Sequence, residues 1–151
     1  MTIRTDPSRY VEPSRTAYAL DEQIGFLLRR AHQRHISIFN EHMRNGLTIQ
    51  QFAVLACLLE SGRLSQNKLG RRTAMDQSTI NGVVQRLVKR DYLSKQNSDD
   101  DMRKILVDLT DTGRSAVEEM INAANEITHE TLAPLKPQQQ QTLLKLLKEI
   151  S

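Results

Sequence analysis

The chain has 151 residues, 26% of them charged, and a net charge of +3. Its single cysteine excludes an internal disulfide and any metal site built from several cysteines. No apolar run reaches the roughly 18–20 residues that span a bilayer, and no secretory h-region follows the N-terminus. We therefore expect a cytoplasmic protein without a membrane partner, with one core or as one subunit of an oligomer.

Basic residues are concentrated in the middle third of the chain. Residues 61–104 contain 10 lysines and arginines against 5 aspartates, whereas the rest of the chain carries a net charge of −2. A local positive field is typical of a surface that binds phosphate groups. A solvated surface with scattered charges is the alternative interpretation.

The N-terminal third predicts a loose arm followed by one long helix. Residues 1–17 are polar and contain two prolines, so we expect an arm. A helical pattern of apolar residues then runs from Tyr18 to Asn45 and Gly46, a pair that suits a helix end. Such a helix would have about 25 residues and measure about 38 Å, which favours packing between subunits.

Capping residues predict three further helices in the middle of the chain. Thr48 and Gln51 fit a capping box in front of the apolar run FAVLACLLE, which Gly62 would end. Ser65 and Asp76 are suitable N-caps, because their side-chain oxygens can accept free backbone N–H groups. The pattern predicts a helix-turn-helix over 65–73 and 76–91.

Two short strands and two closing helices follow. Alternating residues predict strands over Tyr92–Gln96 and Ile105–Leu109, joined by the polar loop NSDDDMRK. Thr110 is a suitable cap for a helix that reaches about Leu132. The last helix, QQQQTLLKLLKEI, carries a dense leucine and isoleucine stripe that needs a partner.

The helix predicted over 76–91 has an unusual polar face, about 140° wide. It carries amides, hydroxyls, a glycine and cations, and no acid in its middle. Such groups match the mixed donors and acceptors of base edges, and a glycine allows close approach to a major groove. A solvated helix surface is the alternative. We expect DNA contacts from this helix and the start of the preceding one: Ser65, Gln66, Gln77, Ser78, Thr79, Asn81, Gly82, Gln85, Arg86 and Lys89.

The loop NSDDDMRK is acidic except at its end. Arg103 can enter a minor groove, where the potential of DNA is most negative, and Asp101 can orient it by a salt bridge. The alternatives are a charged turn and a calcium loop. The calcium loop lacks the glycine and the glutamate that its motif requires.

The block from Leu64 to Gly113 resembles the winged helix-turn-helix of MarR-type transcriptional regulators. The most specific pieces are D-x-R at 101–103 and L-T-x-x-G at 109–113, and the likeness covers residues 18–151. Arg103 matches the family's wing arginine, and Asp101 matches its orienting acid. Asn97 and Ser98 replace the proline-containing start of the wing common in that family.

The resemblance implies a mainly α fold with a small β-hairpin wing. It further implies an N-terminal arm (1–17), dimerisation helices (18–47 and 110–151) and an intertwined DNA-binding lobe (48–109). The expected function is a bacterial repressor, bound to double-stranded DNA on the nucleoid as a homodimer and released by a small ligand. Twofold symmetry then predicts an inverted repeat of roughly 16–20 bp.

The first long helix carries histidines around Phe39, in the segment RRAHQRHISIF. This segment is similar to regulators of aromatic and N-heterocyclic acid catabolism, and in the family effectors lie beside this helix. A small aromatic or nicotinate-like carboxylate would suit a pocket of cations and rings. Histidines that only pack at a dimer interface, or that bind Zn²⁺, are alternatives. The expected effector residues are Arg15, Tyr18, Arg29, His32, His35, Phe39 and Phe52.

Other functions are excluded or left open by the remaining motifs. A glycine-rich phosphate loop, a nucleophile elbow and an H-E-x-x-H motif are missing from the sequence, so we expect no enzyme and no catalytic residue. Cys57 lies in the apolar run AVLACLL, which predicts a buried, inert thiol. A redox- or metal-sensing regulator of the same fold and a constitutive winged-helix DNA-binding protein remain alternatives. The sequence does not separate a repressor from an activator.

Overall fold

The structure is a computed structural model, and it describes residues 18–151. The arm expected over 1–17 lies outside the described residues. The chain divides into two units, of which the first ends at Gln33 and the second comprises Arg34–Ser151. Within residues 18–151, the helices are all too short or too polar to cross a membrane.

The described chain is mostly helical and carries one small antiparallel sheet. The predicted fold class, mainly α with a β-hairpin wing on a helix-turn-helix, is confirmed. A 3-10 turn over Leu20–Glu22 comes first. The helices are α1 (Ile24–His42), α2 (Ile49–Ser61), α3 (Gln66–Arg72), α4 (Gln77–Lys89), α5 (Asp111–Leu132) and α6 (Pro137–Ile150), and the strands are β1 (Leu64–Ser65), β2 (Leu93–Asn97) and β3 (Ile105–Leu109).

The predicted helix caps are confirmed. The Thr48 hydroxyl accepts from the Gln51 N–H at 3.2 Å, and the Gln51 side chain accepts from the Thr48 N–H at 3.1 Å. Ser65 caps α3, and the Asp76 carboxylate accepts the Thr79 N–H at 2.7 Å at the start of α4. These bonds satisfy N–H groups that the first turn of a helix leaves without backbone partners.

The predicted length of the first helix is wrong. Helix α1 has 19 residues rather than about 25, and the apolar pattern before it belongs to the 3-10 turn. Gln23 has extended backbone angles (φ −82°, ψ 128°), which separates the turn from α1. A tight turn keeps apolar residues at nearly helical spacing, so the pattern alone does not reveal the break.

The sheet contains a strand that the sequence did not indicate. Strand β1 has two residues, too few to show an alternating pattern, and it pairs with β3 through Leu64 and Val107. Strand β2 pairs with the other side of β3, and Leu93 lies opposite Leu109. The order β1-β3-β2 therefore places β3 in the centre and fixes the base of the β2–β3 loop.

The core holds α4 from one side only. Ile80, Val83, Val84 and Leu87 are at most 2% exposed, and they pack in one cluster with residues of α2, α3, α5 and the sheet. Burying this stripe contributes about 1.5–3 kcal/mol per large apolar side chain. The opposite, polar face of α4 consequently points outward.

The start of α5 is bound to the segment that follows α4. The Thr110 N–H donates to the Tyr92 carbonyl at 3.1 Å, and the Thr110 hydroxyl donates to the Asp91 carbonyl at 2.5 Å. A Cβ atom on Gly113 would overlap the Tyr92 carbonyl oxygen. In the L-T-x-x-G motif, the threonine thus forms the hydrogen bonds and the glycine leaves room for the close contact.

Candidate nucleic-acid interface and ligand cavity

The outward face of α4 carries the side chains that the sequence predicts for DNA contact. Thr79 and Gly82 are half-buried at its margin. The remaining six are exposed: Gln77, Ser78, Asn81, Gln85, Arg86 and Lys89. Carboxylates are missing from this helix, whose sequence is QSTINGVVQRLVK, and only its N-cap, Asp76, is acidic.

Two features shape this face of α4, namely the accessible backbone at Gly82 and the capped first turn. A Cβ atom on Gly82 would meet only the Arg86 Nη1 atom, at 3.5 Å, so the helix backbone is accessible there. The Thr79 backbone N–H, and then the Thr79 hydroxyl, lower the pKa of the Asp76 carboxyl below its ordinary value of 3.8. Asp76 is therefore ionised at neutral pH and holds the first turn of α4 in place.

A cleft of about 450 Å³ lies between α3, the start of α4 and the base of the β2–β3 loop. It brings together five of the predicted residues, which are Ser65, Gln66, Gln77, Asp101 and Arg103. Sequence reasoning missed three polar residues of the same cleft: Asn67, Arg71 and Lys104. Arg71 and Lys104 belong to the basic segment 61–104, so its charge pattern was the signal that could have found them.

The predicted salt bridge between Asp101 and Arg103 is not among the ion pairs of residues 18–151. The Asp101 carboxylate instead accepts the backbone N–H of Arg103 at 3.0 Å, and the Asp101 carbonyl accepts the N–H of Lys104 at 2.9 Å. An aspartate two residues earlier is placed to close such a tight turn. Asp101 therefore positions Arg103 through its backbone.

Gln66 and Asn81 connect α3 to α4 beside this cleft. The Gln66 side-chain N–H donates to the Asn81 carbonyl oxygen at 3.4 Å. Gln66 is 9% exposed, and its own Oε1 atom is buried with no hydrogen-bond partner among the described residues. This pair spans a contact between helices and is invisible in the linear pattern.

A second cavity, of about 220 Å³, lies between α1, α2 and α5. Three predicted effector residues line it, namely His35, Phe39 and Phe52, and the two phenyl rings lie 6.1 Å apart between centroids. The other lining residues are Ile49, Ala53, Ala124, Ile127 and Thr128. The cavity is mainly apolar with few polar groups, as is common for sites that bind small organic molecules.

His35 has a defined orientation at this cavity. Its Nδ1 atom lies 2.8 Å from the Thr131 hydroxyl, which itself donates to the Ile127 carbonyl at 2.7 Å. The hydroxyl therefore accepts from the ring, which places a proton on Nδ1. In the neutral ring, Nε2 is then the acceptor.

The other predicted effector residues are not among the residues that line this cavity. Tyr18, Arg29 and His32 are exposed residues of the first unit, and Arg15 lies outside the described residues. Their assignment stays a prediction. The His42 Nε2 atom lies within hydrogen-bond distance of the Glu130 carboxylate, at 2.6 Å. No cluster of metal-ligating side chains occurs in the described part of the chain. Cys57 is half-buried against the core.

The segment Arg90–Tyr92 joins the end of α4 to the elements that line the second cavity. The Arg90 guanidinium donates to the Asn45 carbonyl, between α1 and α2, at 3.0 Å, and it lies 4.8 Å from the Tyr92 ring centroid. On its other side, this segment accepts the two bonds from Thr110 at the start of α5. We call Arg90–Tyr92 the junction.

Comparison with known proteins shows close likeness to transcriptional regulators. Residues 37–120 match the family described as Transcriptional regulator SarA/Rot. The chain is 36% identical over 151 residues to the HTH-type transcriptional repressor NicR of Pseudomonas putida, covering 99% of this chain and 95% of that protein.

Solved structures give the same result. Bordetella bronchiseptica BpsR, whose DNA binding is regulated by 6-hydroxynicotinic acid, is 41% identical with a TM-score of 0.85, covering 89% of this chain and 96% of BpsR. Escherichia coli MarR, in a mutant form complexed with operator DNA, is 23% identical with a TM-score of 0.77, covering 83% of this chain and 91% of MarR. This second likeness concerns the fold alone.

Proposed function

The chain belongs to the MarR-type winged-helix transcriptional regulators, which are not enzymes, and on this premise we propose that it is a ligand-released repressor. The ligand is a small N-heterocyclic or aromatic carboxylate, and the DNA is a palindromic operator. One observation carries the proposal: the polar face of α4 and a ligand-sized cavity lie in the same unit and are connected by the junction.

The DNA-binding part follows from the chemistry of the exposed groups. Gln85 and Asn81 offer amides to base edges from the major groove, while Arg103 reaches the minor groove from the β2–β3 loop. Arg71 and Lys104 add positive charge beside them and suit contacts with the phosphate backbone, which position a protein on the duplex.

The size and lining of the second cavity support a one-ring effector. Pockets for drug-sized ligands measure roughly 300–1,000 Å³, and this cavity is smaller, at about 220 Å³. Phe39 and Phe52 can hold a flat ring, and the His35 imidazole can form a charge-assisted bond with a carboxylate when protonated. Arg15, Tyr18, Arg29 and His32 remain the sequence-based candidates for further contacts.

One relative supports the sign of regulation, and another supports the ligand class. NicR of Pseudomonas putida is a repressor, and 6-hydroxynicotinic acid regulates DNA binding by BpsR. We therefore infer that a nicotinate-like acid releases this chain from its operator.

The exposed apolar surface of the last helix supports a symmetric dimer. Helix α6 exposes four large apolar side chains, between 37% and 65%: Leu143, Leu144, Leu146 and Ile150. Such a stripe on a terminal helix suits burial against a second copy. The sequence-based assignment of 18–47 and 110–151 to dimerisation, and of 48–109 to DNA binding, is part of the proposal.

The ligand is tested by titration of the full-length protein against fluorescent operator DNA. Added 6-hydroxynicotinate or nicotinate should raise the Kd for DNA and raise the Tm of the protein, since a ligand that binds only the folded state stabilises it. Nicotinamide, which lacks the carboxylate, is the matched control and should do neither. DNA binding that responds to none of these acids would refute the effector, and a lack of DNA binding would refute the whole proposal.

A cavity-filling variant separates the two parts of the proposal. Ala53 lines the cavity from α2 and is not among the residues of the DNA face, so Ala53→Leu should block the effector and leave operator binding intact. Thermal melting checks that the variant folds. If Ala53→Leu responded to the acid like the wild type, the effector would not bind in this cavity.

A further inference from the structure

We propose that Gln66 selects the base read by Asn81, because it fixes which end of the Asn81 amide faces the DNA. This role depends on the docking of α4 in the major groove proposed above. Gln66 acts through Asn81, so it is a positioning residue. The inference assigns a specificity determinant to α3, the helix before the one that meets the bases.

The first observation is the placement of the two amides. Gln66 is 9% exposed at the start of α3, whereas Asn81 is exposed on the polar face of α4. The Gln66 Nε2–H group donates to the Asn81 Oδ1 atom at 3.4 Å. Both side chains line a cleft that also includes Gln77, Ser78 and Ile105, so the pair opens onto the surface assigned to DNA.

The second observation is the unpaired oxygen of Gln66. Its Oε1 atom is buried and has no hydrogen-bond partner in the described part of the chain. A buried acceptor without a partner is destabilising, and an apolar side chain of similar size would avoid this loss. Stability alone therefore does not explain glutamine here, which points to a role for the N–H group that meets Asn81.

The chemistry of an asparagine amide turns this contact into a base preference. Asparagine commonly reads adenine with both ends of its amide, accepting from N6 and donating to N7. When Oδ1 is held toward Gln66, the planar amide turns its NH₂ group outward, so Asn81 offers donors. Donors match O6 and N7 of guanine and O4 of thymine. We therefore expect guanine or thymine at the base pair that Asn81 contacts.

Two substitutions of Gln66 should have different effects on base preference. Gln66→Met keeps the volume and removes the donor, so Asn81 can turn freely and discrimination at its base should fall. Gln66→Glu replaces the donor with an acceptor, which draws the Asn81 NH₂ group inward and turns Oδ1 outward. The preferred base should then carry an amino group, as adenine and cytosine do.

The experiment is binding-site selection from randomised operators with the full-length protein, followed by Kd measurements on single-base variants. Wild-type discrimination of about 5-fold or more at one position per half-site should fall below about 2-fold in Gln66→Met and change its preferred base in Gln66→Glu. Gln50→Met, at an exposed position of α2, is the matched control and should keep the wild-type preference. Melting curves identify variants that fail to fold.

The outcomes separate this inference from the function on which it depends. Unchanged discrimination in both Gln66 variants, with loss of discrimination in Asn81→Ala, would overturn the role of Gln66 and leave the docking of α4 intact. An adenine preference in the wild type would also overturn it. If Asn81→Ala changed neither affinity nor preference, α4 would not read the bases, and the proposed docking itself would be wrong.

Discussion

Arg103 has its backbone held in place and its side chain exposed at the β2–β3 loop. Asp101 binds the backbone N–H of this residue, so a local hydrogen bond aims the loop without neutralising the guanidinium. A positive group on an ordered turn suits the narrow, strongly negative minor groove. The position is therefore expected to contribute to affinity through charge.

Arg103→Ala should weaken operator binding by about 10- to 100-fold and lower the dependence of log Kd on log salt by about one unit. Anisotropy titrations at several salt concentrations measure both effects. Arg114→Ala removes an exposed arginine of α5 that does not line the cleft, and it should bind like the wild type. An Arg103→Ala protein with wild-type affinity and salt dependence would exclude this loop from the interface.

Asp76 should make stability depend on pH in the acid range. Its folded pKa is lowered below 3.8 by the Thr79 N–H, so its contribution is full above that value and is lost as pH falls through the folded pKa. Asp76→Asn keeps a capping group but cannot ionise. The Tm advantage of the wild type over Asp76→Asn should therefore be largest near pH 6 and narrow below pH 4, as measured by circular dichroism; a constant difference would contradict the assignment.

At the scale of residues, the sequence was most informative where partners are local. The caps Thr48, Ser65 and Asp76 depend on groups within three residues, and all were predicted. Gln66 and Asn81 are brought together by the packing of α3 on α4, which no local pattern encodes. The prediction of a salt bridge between Asp101 and Arg103 was wrong, because the Asp101 carboxylate accepts the nearer backbone N–H of Arg103.

Helix α4 combines a fully buried stripe with an accessible backbone at Gly82. A Cβ atom there would make only an ordinary contact with Arg86, so the folded protein has space for a side chain. A glycine inside a helix is nonetheless destabilising by roughly 0.5–1 kcal/mol relative to alanine. Its presence is explained if the DNA occupies that space.

Gly82→Ala should therefore stabilise the free protein by about 0.5–1 kcal/mol and weaken operator binding by about 10-fold or more, because the added methyl group separates α4 from the base edges. Denaturant unfolding and operator titration measure the two effects. Gly25→Ala, where a Cβ would meet open space, is the control and should keep wild-type operator binding. Gly82→Ala with tighter or unchanged operator binding would show that this face does not approach DNA closely.

The junction is the element through which the cavity can act on α4. It is bonded to the α1–α2 loop through Arg90 and to the start of α5 through Thr110, and helices α1, α2 and α5 line the cavity. We therefore expect a ligand that shifts these helices to displace the end of α4. Coupling of this kind typically changes affinity by 5- to 150-fold.

Arg90→Met keeps the aliphatic part of the side chain and removes the bond to Asn45. Without ligand, the operator affinity should stay within about 3-fold of the wild type. The ligand-induced change in operator affinity, which is typically 5- to 150-fold for such coupling, should be mostly lost. Operator titrations with and without 6-hydroxynicotinate measure this. Arg63→Met removes an arginine that pairs with Asp108 at 3.2 Å and should respond normally. Full release of Arg90→Met by the ligand would exclude this route.

Among the secondary-structure elements, periodicity and caps predicted the longer helices and strands. Elements too short to show a period were missed. Helices α2 to α6 and strands β2 and β3 were predicted, because each has an apolar stripe, an alternating pattern or a clear start. The two-residue strand β1 and the break at Gln23 were not. Their conformations are set by pairing with β3 and by a local turn.

For the whole molecule, the unpaired apolar face of α6 and the polar face of α4 call for different partners. In the proposed dimer, a second copy buries Leu143, Leu144, Leu146 and Ile150. Twofold symmetry would then place two α4 helices in successive major grooves about one turn apart. Resemblance to the family led the sequence analysis to predict a symmetric dimer on DNA. The cavity and the junction became visible only when distant helices were placed side by side.

Footprinting of the operator by the full-length protein is the decisive test of symmetric docking on DNA. Two copies that dock α4 and Arg103 as described should protect a twofold-symmetric site of roughly 16–20 bp, and 6-hydroxynicotinate should abolish the protection. Protection of a single asymmetric half-site, or no protection at modest ionic strength, would contradict it.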